Sequence, residues 1–163
     1  MKRKTFFSFH FANDSWRASQ VRNIGALEGN EPVSDNDWEE VKKKGDKAIE
    51  NWIDNQLKGR SCTVVLIGAE TANRKWIKYE IKKSWELEKG IVGIKIHNLK
   101  DQNGNQSVEG KNPFEQFSIG GINMSKIVKV YNPPYSVSTN VYDYIKNNIA
   151  GWVEEAIKIR EEN

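Results

Sequence analysis

The sequence predicts an α/β domain, a parallel sheet of four to five strands with helices on both faces. Three observations carry that prediction. Short apolar runs rich in β-formers alternate with longer stretches whose apolar residues recur every three or four positions. One run, Ser61-Cys62-Thr63-Val64-Val65-Leu66-Ile67, is nearly continuous in its hydrophobicity, as a central parallel strand covered on both faces must be. The length, 163 residues, fits one domain over residues 1–163 with a single core.

The first strand is Thr5-Phe6-Phe7-Ser8-Phe9. The second is the run from Ser61 to Ile67, ended by Gly68, and the third is Ile91-Val92-Gly93-Ile94-Lys95-Ile96. A fourth, Lys126-Ile127-Val128-Lys129-Val130-Tyr131, is stopped by Pro133-Pro134. Between them, residues 14–23 read as a short helix. Residues 37–57 carry Trp38, Val41, Ala48, Ile49, Trp52, Ile53 and Leu57 at helical spacing. Ile77, Ile81 and Trp85 form an i, i+4, i+8 stripe within residues 73–88. A long amphipathic helix closes the chain, carrying Val141, Tyr144, Ile145, Ile149, Trp152, Val153, Ala156 and Ile157, with Ser138 or Thr139 as candidate N-cap. Strands alternating with helices imply a flavodoxin-like winding. Two stretches fit less well. Residues 25–36 should hold a further strand, yet only Ala26-Leu27 suits one, so that strand is short, degenerate or absent. Residues 98–123 are polar and rich in turn residues, a length that is usually functional or mobile.

Composition narrows the function classes. Hydrophobic residues make up 37% and charged residues 29%, a globular mix rather than a disordered one. The net charge of +3 is too small an excess to point to nucleic acid. The basic run Lys42-Lys43-Lys44 reads as a solvated helix face. One cysteine, Cys62, inside a strand, suits core packing and a reducing compartment. Only a short strand-like segment follows the basic Met1-Lys2-Arg3-Lys4, and no apolar run nears the roughly 20 residues of a membrane span. A soluble, cytoplasmic protein is expected. Two histidines and one cysteine cannot make a conventional zinc site, and no Gly-rich fingerprint follows the first strand, so no metal is expected.

In an open α/β sheet, ligands bind beyond the carboxyl ends of the strands. That rule selects residues 8–14, 68–73, 97–100 and those from 132 onward. Glu80 stands out. Counted from an N-cap at Asn73, it lies about 10 Å along its helix, one turn from Trp76 and beside the apolar stripe. Position alone does not displace the ordinary reading, a solvated glutamate paired with Lys78 or Lys83.

The segment Gly68-Ala69-Glu70-Thr71-Ala72-Asn73-Arg74-Lys75-Trp76-Ile77-Lys78-Tyr79-Glu80-Ile81 follows an apolar strand and resembles the strand–loop–helix signature of TIR domains. There a Trp precedes a Glu by four residues, as Trp76 precedes Glu80. The stretch from Phe6 to Asn23, with Ile96-His97-Asn98-Leu99-Lys100-Asp101 and Gly110-Lys111-Asn112-Pro113-Phe114, is similar to the TIR-like subunit of bacterial Thoeris anti-phage systems. The likeness runs through most of the chain.

The resemblance implies a TIR-like NAD-consuming enzyme, with NAD as substrate and no resident cofactor. Glu80 would be catalytic, acting while the glycosidic bond to nicotinamide breaks. Chemistry makes the demand plain: the departing nicotinamide leaves an oxocarbenium-like centre that a carboxylate stabilises or attacks. Water as acceptor gives ADP-ribose; a hydroxyl of the same molecule gives a cyclic ADP-ribose-type messenger for a downstream effector, the outcome the Thoeris likeness favours. The substrate-binding candidates are Ser8, Phe9, His10, Asn13, Asp14, Ala69 and Trp76. Phe9 is a stacking platform or plain core, and His10 a phosphate or ribose contact or an exposed spectator. Asn13 and Asp14 suit ribose hydroxyls, although Asp14 suits an N-cap for a helix starting at Ser15 somewhat better. Arg17 and Arg22 are candidates for the diphosphate or for surface roles, and Trp76 walls the pocket or packs in the core. His97 suits a structural role. TIR domains also imply a homo-oligomer, but residues 25–36 depart from the strand and loop through which they assemble. Two other readings remain: a non-catalytic TIR-like interaction module, and a nucleoside deoxyribosyltransferase-like enzyme.

Overall fold

A run of β-branched and aromatic residues buried on both sides, each flanked by an amphipathic helix, folds here as a parallel layered sheet. The computed structural model describes residues 2–30 and 40–163. In chain order these form β1 (Thr5–Phe9), α1 (Phe11–Arg22), α2 (Asp46–Leu57), β2 (Cys62–Ile67), α3 (Lys75–Glu86) and β3 (Gly90–Lys95). A small antiparallel hairpin, β4 (Ser118–Ile119) and β5 (Ile122–Asn123), precedes β6 (Val130–Tyr131) and the long α4 (Ser138–Glu162). The main sheet is ordered β1-β2-β3-β6 and every pairing is parallel.

Alternation along the strands sorts side chains to two faces. Phe7, Val64, Leu66, Val92 and Ile94 pack on one side with Ala18 and Val21 of α1 and Ile145, Ile149 and Val153 of α4. On the other side Phe6 packs with Ile49, Ile53 and Leu57 of α2, while Val65 and Ile67 meet Ile77 and Ile81 of α3. Helices therefore cover both faces, and β2 is buried at every position.

Among the described residues, the expected further strand amounts to one parallel bridge, Lys4 to Glu28. Beside it the side chain of buried Asn30 accepts the Phe7 N–H at 3.1 Å, so an amide occupies the edge of β1 where a ladder would run. The rest of that stretch, residues 31–36, lies outside the described residues, as do 37–39 of the second helical pattern. Within that pattern residues 40–43 are helical, but the helix breaks before α2. Gly45 sits there at φ 90°, a left-handed conformation that its missing Cβ permits.

Two other boundaries differ from expectation. The fourth strand shrinks to Val130–Tyr131, because residues 124–126 form a 3₁₀ turn opened by Asn123, whose side chain accepts the Ser125 N–H, and the Met124 carbonyl then accepts the Ile127 and Val128 N–H groups. Val137, not Ser138 or Thr139, caps α4. Ser138 Oγ instead accepts the Lys100 N–H at 3.0 Å, tying the helix start to the loop after β3. That loop is built rather than loose: Leu99 and Phe114 are fully buried, and Asp101 accepts the Asn103 and Asn105 N–H groups at 2.9 Å each.

Candidate active site

Ser8 shares a face with Phe6, since alternate strand residues point the same way. That face meets α3, whose inward row is Ile77, Glu80, Ile81 and Ser84. Ser8 Oγ donates to Glu80 Oε1 at 2.8 Å across 72 residues of chain. One turn further, Ser84 Oγ donates to the Glu80 carbonyl at 2.6 Å and lies 2.7 Å from Thr63 Oγ1, leaving Thr63 as the donor of that bond. Glu80 itself is only 8% exposed. Among the described residues it makes no ion pair, with Lys78, Lys83 or any other cation. Burial therefore pushes its carboxyl up to about 8, against the weaker opposing pull of the Ser8 hydroxyl. At neutral pH the group is largely protonated until something cationic approaches it.

A second carboxylate lies on the other side of β1. α1 starts at Phe11, three residues before the expected start, because the His10 carbonyl accepts the Asp14 N–H at 2.9 Å and closes the first turn. Asp14 is thus inside the first turn rather than at its cap. Its Oδ1 accepts from Arg17 Nη1 at 3.0 Å, and its Oδ2 finds no hydrogen-bond partner among the described residues. A Cβ at Gly68 would stand 2.0 Å from that Oδ2, so only glycine at the end of β2 admits the carboxylate. Burial raises the Asp14 carboxyl above its ordinary range, and Arg17 works against that rise.

Arg17 is itself buried and spent on structure. It donates to the Leu99 and Asn105 carbonyls at 2.8 Å each and to the Asn13 carbonyl at 3.2 Å. It thereby clamps the post-β3 loop onto α1, and the diphosphate role allowed by sequence finds its charge already committed. Asn13, Asp14, Arg17 and Ala69 line one side of a polar cleft of about 310 Å³, and Asp101, Gln102 and Ser107 of that loop line the other. Asn13 also donates to Glu70 at 2.7 Å.

The remaining candidates separate. Phe9 stacks on Phe11 with ring centroids 6.2 Å apart and packs against the α1/α4 core. Trp76 lies edge-on to Tyr79 at 5.8 Å and packs with the Phe6–Ile53 cluster, so its place is in the wall between α2 and α3. His10 is buried rather than an exposed spectator, and its Nε2 meets Arg74 Nη2. Arg22 bonds the Asn30 carbonyl, away from the cleft. His97 and Cys62 are both buried, and burial drives the Cys62 thiol far up, out of reach of ionisation. Neither Glu80 nor Ser8 lines the cleft, so the two carboxylates occupy opposite sides of β1. Residue patterns missed Arg74, which caps α3 in place of Asn73 because residues 71–73 form their own 3₁₀ turn. They also missed Ser107. A glycine directly ending a central strand, at Gly68, was the one local signal that something presses against the backbone there.

The described residues include no group of three or more His, Cys, Asp or Glu side chains placed to hold a metal ion. No helix among them is long and apolar enough to cross a membrane.

Residues 6–101 match the family described as "Thoeris protein ThsB, TIR-like domain". The chain belongs to this family. The matched segment runs from β1 into the post-β3 loop and contains Ser8, His10, Asp14, Arg17, Arg74 and Glu80. A Bacillus cereus (strain MSX-D12) relative, named "Putative cyclic ADP-D-ribose synthase ThsB1", is 39% identical over 120 residues. That alignment covers 71% of this chain and 62% of the relative, so the chain spans under two thirds of that protein's length.

Proposed function

We propose that this ThsB-family chain consumes NAD, with Glu80 as the central carboxylate, and makes a cyclic ADP-ribose-type messenger for a defence effector. The observation that carries the reading is a buried carboxyl group held by one hydroxyl and, among the described residues, no cation. Such a group is poised to ionise only when positive charge arrives beside it. The nicotinamide-bearing half of NAD brings that charge, and the charge persists on the ribosyl carbon as nicotinamide leaves.

The glycosidic C–N bond breaks with both electrons passing to the nicotinamide nitrogen, which departs neutral. The ionised Glu80 then shields the cationic carbon or bonds to it. A hydroxyl of the same ADP-ribosyl group adds to that carbon, breaking the bond to the Glu80 carboxylate where one has formed, and passes its proton to solvent water as the ring closes; water in its place gives linear ADP-ribose. Ser8 holds the carboxylate in position. Asn13, Asp14 and the Ala69 backbone offer hydrogen-bonding groups for ribose hydroxyls in the polar cleft. The name borne by the Bacillus relative supports cyclisation over hydrolysis. Relay of the messenger to an effector, and assembly of the chain into a homo-oligomer, are proposals on the same footing.

One observation favours a second reading, a non-catalytic interaction module: Glu80 does not line the cleft. A single pair of measurements separates the two. Lysate from phage-challenged cells expressing the chain is incubated with NAD, and the product is identified by mass. The enzyme reading expects nicotinamide together with a cyclic product from wild type, and a loss of at least about 10³-fold in nicotinamide release from Glu80→Gln. Full nicotinamide release by Glu80→Gln would remove Glu80 from the chemistry.

A further inference from the structure

His10 carries a constraint that its neighbours impose. Arg74 Nη2 meets His10 Nε2, and a guanidinium has only donors. Nε2 must therefore be the acceptor and carry no proton. In a neutral imidazole the proton then resides on Nδ1. The same conclusion follows from charge: an imidazolium would set two cations in contact.

Nδ1 is buried and has no hydrogen-bond partner among the described residues. It is also not spent on the helix, because His10 stands at the N-cap of α1 without a side-chain capping bond. The residue as a whole is 8% exposed. A buried N–H donor without an acceptor keeps the full penalty of its lost hydration, so its persistence calls for an explanation. Its location supplies one. His10 directly follows β1 at the carboxyl end of the sheet, two residues beyond Ser8, whose hydroxyl holds Glu80.

We propose that Arg74 is a positioning residue that fixes His10 as the neutral Nδ1–H tautomer, so that His10 donates a hydrogen bond to an uncharged oxygen of the substrate beside Ser8 and Glu80. The donor role rests on the proposed NAD chemistry; the tautomer does not. An uncharged oxygen, a carboxamide carbonyl or a ribose hydroxyl, fits a neutral donor better than phosphate does. Burial and Arg74 both hold the imidazole below its ordinary value, against Glu70, so it stays neutral at physiological pH. Neutrality also matters for the reaction, since a second positive charge would oppose the cation developing on ribose.

Two measurements test this. The chain has only two histidines, so long-range ¹H–¹⁵N NMR on the full chain resolves both imidazoles, and His97→Gln assigns them. At pH 7 His10 should show a protonated Nδ1 and a bare Nε2, and Arg74→Met should shift it towards the Nε2–H form. A protonated Nε2 in the wild type overturns the proposal. The second measurement uses isosteres in the nicotinamide-release assay. The amide nitrogen of asparagine overlays Nδ1 of histidine, and that of glutamine overlays Nε2. His10→Asn should keep activity within about tenfold, while His10→Gln and Arg74→Met should lose about 10²-fold, the range for one lost transition-state donor. Equal activity of the Asn and Gln variants removes the donor role even if the tautomer stands. Full activity of Glu80→Gln would instead sink the functional reading and leave the tautomer intact, so the two failures can be told apart.

Discussion

Two buried carboxylates flank the first strand, and they are held in opposite ways. Glu80, on α3, has one hydroxyl on its carboxyl at 2.8 Å and no cation among the described residues. Asp14, towards α1, has a guanidinium at 3.0 Å that is itself anchored to the post-β3 loop. Burial raises both, but Arg17 opposes the rise at Asp14, whereas at Glu80 a neutral hydroxyl does so and the group reaches about 8. A carboxylate with a resident cation is a structural joint. One without it can answer a transient positive charge, and that difference, not burial itself, separates a framework acid from a reactive one.

The contrast can be broken first from the Asp14 side. Arg17→Met strips a buried charge of its partner and releases the loop carbonyls of Leu99 and Asn105 together. Unfolding in urea should show a loss of about 3–5 kcal/mol, the usual cost of removing one member of a buried pair. A loss under about 1 kcal/mol would mean that the clamp holds nothing and the comparison fails.

Next comes the pH dependence of stability, which tests the Glu80 side. The folded carboxyl titrates near 8, while the unfolded one titrates at its ordinary 4.5. Below 4.5 both states hold the proton and the stability is complete. Between the two values the unfolded chain gives up a proton that the folded chain keeps, so stability falls as pH rises, and the fall ends above about 8. Thermal melts of Glu80→Gln should match wild type at pH 4 and exceed it at pH 8. Parallel curves for the two proteins would show that Glu80 is not held neutral by the fold. In the same pH range kcat/KM should climb about tenfold per unit below the Glu80 midpoint, because that ratio reports the free enzyme's ionisation.

The smallest effect is expected from Ser8→Ala, which removes the hydroxyl that donates to the Glu80 carboxyl. The carboxyl should titrate higher still, moving the kcat/KM profile towards alkaline pH, with a stability loss of about 1 kcal/mol. An unmoved profile would assign the Ser8 hydroxyl a packing role alone.

By itself the sequence determined the layered α/β plan, down to the bounds of β1 and the near-continuous apolarity of β2, because strand and helix periodicities are local properties of side-chain spacing. It also pointed to the carboxyl ends of the strands as the ligand edge, and to Trp76 and Glu80 through their likeness to TIR domains. The bounds of weak elements escaped it where a few hydrogen bonds outweighed propensity: the β-like run over residues 126–131 keeps only Val130–Tyr131 as strand, because the Ile127 and Val128 N–H groups bond the Met124 carbonyl instead. The strand sought in residues 25–36, which the sequence allows to be short, degenerate or absent, is one bridge at Glu28 among the described residues. The site's contacts lay further out of reach. Ser8 meets Glu80 across 72 residues, Arg74 meets His10 across 64, and Arg17 meets Leu99 across 82. Each depends on the register of β1 against β2 and on how α1 and α3 seat on opposite faces. Only the tertiary structure decided which carboxylate would have a cation and which would not, because an ionisable group takes its character from neighbours in space, and no spacing along the chain encodes those.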